Sequence, residues 1–252
     1  MTKAFVLLSG GVDSTTCLYI AASQYDEVEA ISVNYGQRHF KEMEFARKSC
    51  ETIGASHRIL DIRGILDGSG VMLTDPDVEI PAISYDEIEG VSPTYVPFRN
   101  GTLLSVITAQ AQKDVMARID DNKAYDNMQS SDNLKTDQDR LEEMKDFAGV
   151  FIGAHAEDAF NWAYPDCTPE FFGAMANAIY TGTYYTVRAQ APLLSLSKAQ
   201  VIEWGTNLGV NWANTWSCYA GGEEHCGTCP TCLARKQAFI DARVTDPTVY
   251  AA

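Results

Sequence analysis

Ten residues near the N-terminus, Leu7-Leu8-Ser9-Gly10-Gly11-Val12-Asp13-Ser14-Thr15-Thr16, constrain this chain more than any others. The apolar run at residues 4–8 reads as a buried strand. It breaks in Ser-Gly-Gly, and a helical pattern follows with Leu18, Ala21, Ala22 and Tyr25 on one face. Such a junction leaves backbone N–H groups free at the positive end of the helix dipole. The glycines let the backbone approach a ligand closely, and Ser9, Ser14, Thr15 and Thr16 supply hydroxyls. The stretch is expected to cradle phosphate; the plainer alternative is a strand–turn–helix with a capped start. A Walker A loop would carry a lysine, but here Asp13 stands in the loop and no lysine does.

The segments that follow repeat the strand–helix rhythm. Residues 28–35 read as a second strand ended by Gly36. Phe40, Met43, Ala46, Cys50 and Ile53 follow at helical spacing with Gly54 as a stop, and residues 58–62 read as a third strand. This alternation predicts an α/β fold: a Rossmann-like parallel sheet with helices on both faces. Ligands of such sheets sit beyond the carboxyl ends of the strands. That edge gathers Ser9 to Thr16 and Asn34 to His39. It also takes in the residues after an expected strand at 149–154, His155, Glu157 and Asp158. Residues 63–92 carry Gly, Pro and Asp at short intervals and read as a long loop over the sheet, or a lid. Arg99 stands just ahead of a helix containing Leu103, Leu104, Ile107 and Ala111. It is placed to meet a phosphate or carboxylate in fork geometry, or else to make an ordinary surface pair.

Residues 120–146 are polar and poor in large apolar side chains. They read as an insertion, either a mobile loop or a solvated helix at 137–146, with a partner-binding arm as the sharper alternative. Thr168 is a predicted N-cap with Pro169 in the first helical position, ahead of Phe172, Met175, Ala176 and Ile179. Ser197 and Gln200 match a capping box, Val201, Trp204 and Leu208 face inward, and Gly209 closes that helix.

Four of the seven cysteines, Cys218, Cys226, Cys229 and Cys232, stand as C-x7-C-x2-C-x2-C. Four thiolates at this spacing close a tetrahedral shell, so the expected ion is a structural zinc. His225 is a rival fourth ligand, and a redox Cys-x-x-Cys is the other reading. The division expected is a nucleotide-binding domain over residues 1–210 and a zinc-binding subdomain over 211–252.

The chain has 252 residues and a formal net charge of -15. That balance argues against gripping a nucleic-acid backbone. No apolar run is long enough to span a membrane, and the N-terminus shows no signal-peptide plan, so a cytoplasmic enzyme is expected.

Ser-Gly-Gly-x-Asp-Ser resembles the signature of the PP-loop ATP pyrophosphatases, which cut ATP to AMP and pyrophosphate. Tyr35-Gly36-Gln37-Arg38-His39, Val96-Pro97-Phe98-Arg99-Asn100, Tyr164-Pro165-Asp166-Cys167 and the four-cysteine tail recur with it in the 7-cyano-7-deazaguanine (preQ0) synthase family, which the chain resembles over nearly its whole length. The resemblance implies an ATP-dependent C–N ligase that turns 7-carboxy-7-deazaguanine and ammonia into the 7-cyano form through two adenylations. It implies ATP, Mg2+ and Zn2+ as cofactors and a homodimer. On this reading nucleotide binding falls to Leu8, Ser9, Gly10, Gly11, Val12, Asp13, Ser14, Thr15, Thr16, Cys17 and Leu18. Asp13, Ser14 and Arg99 take catalytic roles, with Asp13 beside the magnesium. Arg38, His39, Tyr164 and Asp166 hold the substrate, Tyr164 by stacking and Asp166 by hydrogen bonds to the guanine-like edge. Asp166 as a helix-start carboxylate is the competing reading.

The chain departs from the common pattern at Phe98, where many relatives have glycine, and at Gly153-Ala154-His155-Ala156-Glu157-Asp158. These departures bear on whether the product is nitrile or amide. The alternatives are an enzyme that stops at the amide or joins the deazaguanine to a protein amine, a tRNA-modifying PP-loop enzyme, and a nucleotide sensor without catalysis.

Overall fold

A computed structural model describes residues 2–37, 41–66, 73–75, 78, 91–92, 94–129, 135–220 and 222–251. Five strands form one parallel sheet: β1 (Lys3–Leu7), β2 (Glu27–Asn34), β3 (Ser56–Asp61), β4 (Ala148–Phe151) and β5 (Val187–Gln190). Their order is β3-β2-β1-β4-β5, with Lys3 opposite Glu27 on one side and Ala148 on the other. The order reverses at β1. The crevice at its carboxyl end is therefore the topological switch point, where doubly wound sheets bind ligands.

Alternation along β1 explains the two layers of helices. Ala4 and Val6 face one core, with α1 (Val12–Gln24), α2 (Lys41–Ile53), α6 (Lys198–Asn207) and α7 (Pro230–Asp241). Phe5 and Leu7 face the other, with α3 (Arg99–Gln129) and α5 (Pro169–Gly182). Each face of a strand in the middle of such a sheet needs its own apolar cover. The expected α/β architecture with helices on both faces is the one found.

Local signals account for most element ends. Gly54 at φ +74° and Gly209 at φ +82° close α2 and α6. Thr168 accepts from the Phe171 N–H at the start of α5, and Ser197 and Gln200 form the capping box of α6. Some details differ from the sequence reading. Ala22 is exposed, one step off the buried stripe of α1. The strand β5 went unread, because its four residues Val-Arg-Ala-Gln bury only Val187 fully and lie at the sheet edge. The start of the polar segment at 120–146 continues α3 through Gln129, and a short helix α4 (Asp137–Glu143) follows behind a Thr136 capping box. Most of the long loop at 63–92 lies outside the described residues.

Trp212, Ala238, Phe239 and Ala242, all beyond residue 210, share a core with α1 and α6. Arg235, 1% exposed, ties α7 to this body. Its guanidinium donates to Thr215 Oγ1 at 2.8 Å and to the Trp212 carbonyl at 3.3 Å, and it pairs with Asp246 at 3.1 Å. Among the described residues no helix is long and apolar enough to cross a membrane.

Candidate nucleotide site and metal centre

The turn after β1 forms the floor of a cleft of about 250 Å³. Gly11 is the N-cap of α1 and offers no capping side chain, which leaves first-turn N–H groups for an anion. Ser14 Oγ donates to the Gly11 carbonyl at 3.3 Å and lies 3.0 Å from Ser9 Oγ. Gly10 has φ +87°, and a Cβ there would meet the Glu42 carbonyl oxygen at 2.2 Å and the Ala46 nitrogen at 2.9 Å. Glycine is therefore required twice, once by the left-handed backbone and once by the packing of α2 against the loop. The C-terminal arm holds the loop from another side: the Trp216 N–H donates to the Gly10 carbonyl at 2.8 Å.

Of the residues expected to bind nucleotide, Leu8, Ser9, Asp13 and Ser14 line the cleft, while Gly11 and Val12 line an adjoining lobe of about 140 Å³. Gly10 faces α2. Thr15, Thr16, Cys17 and Leu18 are fully buried. The Thr16 hydroxyl donates to the Val12 carbonyl at 2.9 Å, and Cys17 Sγ lies 3.6 Å from the Ile152 carbonyl. These four support the cradle from behind.

A charged cluster stands beside the floor. Asp13 Oδ2 is paired with Lys198 Nζ, and Asp13 Oδ1 lies 3.9 Å from His155 Nε2. His155 Nε2 is also 3.3 Å from Asp158 Oδ1 and 3.2 Å from Lys198 Nζ. Burial would raise the Asp13 carboxyl, but the charges of Lys198 and His155 and the lysine hydrogen bond outweigh it and hold it below the ordinary range. Among the described residues, Asp13 Oδ1 and His155 Nδ1 are buried without a hydrogen-bond partner.

Lys198 lines the cleft and was not singled out from the sequence. A signal was present, since it is a cation in the first turn of α6, where the helix dipole disfavours positive charge. Its backbone N–H donates to Glu157 Oε1 at 2.8 Å.

Arg99, the first residue of α3, also lines the cleft. Burial works against its charge, yet the Tyr35 and Tyr219 hydroxyls and the Cys167 thiol facing it hold its pKa above the usual value. Burial lifts the Glu42 carboxyl to about 7, opposed by a hydrogen bond from Gln37 and the charge of Arg99. Arg38 and His39 lie outside the described residues.

Tyr164 lines the cleft, and its hydroxyl is held by Ser92 Oγ at 2.9 Å and by Thr94 Oγ1. Asp166 is not among the cleft-lining residues. Its Oδ2 accepts from the Asn100 backbone N–H at 2.8 Å in the first turn of α3, and Asn100 Nδ2 donates to the Asp166 carbonyl at 3.2 Å. Asp166 is thus a helix-start carboxylate for α3, a helix distant in sequence. Phe98, at φ +53°, is 54% exposed and packs edge-on against Phe171 at 5.7 Å, outside the cleft lining.

The sulfurs of Cys218, Cys226, Cys229 and Cys232 all lie within 4.8 Å of one another. A tetrahedron with Zn–S near 2.3 Å has edges of about 3.8 Å, and Cys226 and Cys232 are 3.9 Å apart. Backbone N–H groups of Cys226 and Ala220 point to Cys218 Sγ at 3.3 and 3.4 Å, and that of Cys229 to Cys226 Sγ at 3.3 Å, the environment that a thiolate needs. The donor set fits a metal ion. His225 is otherwise engaged, because its Nε2 accepts from the Ser217 N–H at 3.0 Å and its ring lies 4.1 Å from that of Trp216.

The family model described as "Queuosine biosynthesis protein QueC" matches residues 3–124 and 138–243. It leaves out 125–137, inside the segment read as an insertion. The 7-cyano-7-deazaguanine synthase of Thermoplasma acidophilum is 39% identical over 98% of this chain and 92% of its own length. That of Caldicellulosiruptor bescii is 38% identical over 98% and 97%, and that of Pseudoalteromonas atlantica 36% identical over 98% and 98%. With a family model spanning both halves of the sheet and relatives aligned end to end, the chain belongs to the QueC family of queuosine biosynthesis proteins.

Proposed function

We propose that this chain is a C–N ligase that converts 7-carboxy-7-deazaguanine and ammonia to 7-cyano-7-deazaguanine, with ATP cut to AMP and pyrophosphate. The observation that carries the reading is the open N-terminus of α1 at the floor of the cleft, with Lys198 and Arg99 on its walls. A carboxylate oxygen is a poor leaving group. Attack of that oxygen on the α-phosphorus of ATP joins it to AMP, a good leaving group, and expels pyrophosphate. The first-turn N–H groups, Ser9, Ser14 and Lys198 receive the departing charge. Ammonia then forms the C–N bond and AMP leaves. A second adenylation, on the amide oxygen, lets AMP leave again as the nitrile forms. Arg99 offsets phosphate or carboxylate charge.

Asp13 Oδ1, buried and without a hydrogen-bond partner among the described residues, suits a Mg2+ ion, which would offset the charge of the pyrophosphate. Zn2+ on the four cysteines would be structural, since four sulfurs leave no open position. Tyr164 fits a stacking role toward the deazaguanine ring. The net charge of -15 supports small-molecule substrates over nucleic acid. A homodimer in the cytoplasm completes the proposal.

The test is incubation of the zinc-loaded chain with MgATP, ammonium and the carboxy-deazaguanine, read by mass spectrometry. Nitrile and AMP are expected. Formation of ADP, or untouched nucleotide, would overturn the reading; amide alone would assign the shortened reaction.

A further inference from the structure

Both nitrogen steps of the proposed reaction release protons. Ammonium must lose one before its lone pair can attack, and the adduct loses another as the amide forms. The adenylated amide then sheds both N–H protons as the nitrile forms. A cleft that runs this chemistry needs a base that is not tied to a cation and whose strength matches the working pH.

The carboxylates in the cleft differ on this point. Asp13 is ion-paired with Lys198, Asp158 sits 3.3 Å from His155 Nε2, and Glu157, which lines only the smaller lobe, accepts from the Lys198 backbone N–H at 2.8 Å. Glu42 lines both lobes of the cleft and has no ion pair among the described residues. Among the described residues its hydrogen-bond contact is the Gln37 amide at a long 3.5 Å, which leaves the carboxyl acceptor capacity among them. The packing of α2 sets it beside the loop: the Glu42 carbonyl is the atom that a Cβ on Gly10 would strike. The charged and titratable groups around it are Arg99 from α3, Tyr35 from the end of β2 and Tyr219 from the C-terminal arm. Asp13, Asp158 and Lys198 share the same cleft.

We infer that Glu42 is a further catalytic residue, the base that takes protons from ammonium and from the amide nitrogen; this rests on the synthase reading above. In the first step ammonium gives one proton to the Glu42 carboxylate. The nitrogen lone pair forms the C–N bond, and the C–O bond to AMP breaks with its electron pair leaving on the phosphate oxygen as a second N–H proton departs. In the second step the adenylated amide loses two N–H protons while its C–O bond breaks, again with the pair leaving on AMP. Glu42 returns each proton to water. Its carboxyl, lifted by burial to about 7, is strong enough to accept a proton at neutral pH and weak enough to release it.

Three readouts on the full-length, zinc-loaded chain test the assignment: acid-dependent exchange of labelled pyrophosphate into ATP, nitrile formation with ammonium, and hydroxamate formation with hydroxylamine, which is largely unprotonated at neutral pH. Glu42→Gln should keep exchange within about threefold of wild type and lose about 100-fold or more in nitrile formation, the low end of what general bases contribute. Hydroxamate formation should recover most of the loss. Equal losses in exchange and nitrile would make Glu42 a binding residue and overturn the assignment, as would an unaffected nitrile rate or no rescue by hydroxylamine. A wild-type chain that makes no product with ammonium defeats the synthase reading itself, which separates that failure from this one.

Discussion

The Trp216 backbone N–H donates to the Gly10 carbonyl at 2.8 Å, joining the cysteine-bearing arm to the glycine turn after β1 across 206 positions of chain. Trp216 is itself held by the four-cysteine cluster, because its indole N–H donates to the Cys218 carbonyl at 2.9 Å. The two sites are therefore mechanically connected.

That connection predicts the effect of stripping the metal. Chelation, or Cys226→Ser, should lower the melting temperature and weaken ATP binding together. A metal ion on four thiolates would contribute to folding directly, and loss of the Trp216 hydrogen bond is worth about 1 kcal/mol, roughly fivefold in affinity. Differential scanning fluorimetry and isothermal titration with a non-hydrolysable ATP analogue, on the same samples, check it. ATP affinity unchanged in the stripped protein would break the link.

Gly10→Ala should be severely damaging. Its Cβ would fall 2.2 Å from a backbone oxygen, which cannot swing aside as a side chain can, and φ +87° is unfavourable for alanine. Together these cost about 2–4 kcal/mol. Urea denaturation measures the loss, with nucleotide affinity falling alongside.

Lys198→Met leaves Asp13 in place without its cation. The side chains are 16% and 21% exposed, so the expected loss is about 1–3 kcal/mol at pH 7, below the range for a fully buried pair. The sign with pH follows from Asp13. Its carboxyl is lowered in the folded state, so the stabilisation is in place above the unfolded value near 4 and is lost as pH falls through the folded one. The stability gap between wild type and variant should therefore shrink on acidification. Denaturation series from pH 7 downward, without added magnesium, test this; a gap that widens in acid would contradict it.

Phe98→Gly should change little. Relief of φ +53° is worth about 1 kcal/mol, and loss of the edge-on contact with Phe171 costs a similar amount. Because Phe98 does not line the cleft, the ratio of nitrile to amide should stay as in wild type. A shift in that ratio would bring Phe98 back into the substrate site.

Nearest neighbours in the chain determined much of this protein. The glycine turn, the caps at Thr168 and Ser197, the stops at Gly54 and Gly209 and the cysteine spacing all act within a few residues, so their physics is written in local order. The two-sided sheet followed from continuous apolar runs, because only a strand covered on both faces buries every residue. Folding decided the rest, since burial and partnership belong to groups far apart in sequence. Lys198 meets Asp13 across 185 positions, and Asp166 reaches back 66 to cap α3. Glu42, an ordinary-looking glutamate in an amphipathic helix, gains its perturbed acidity only once α2 closes on the cleft. Desolvation and charge pairing depend on three-dimensional surroundings, and no spacing along the chain encodes them.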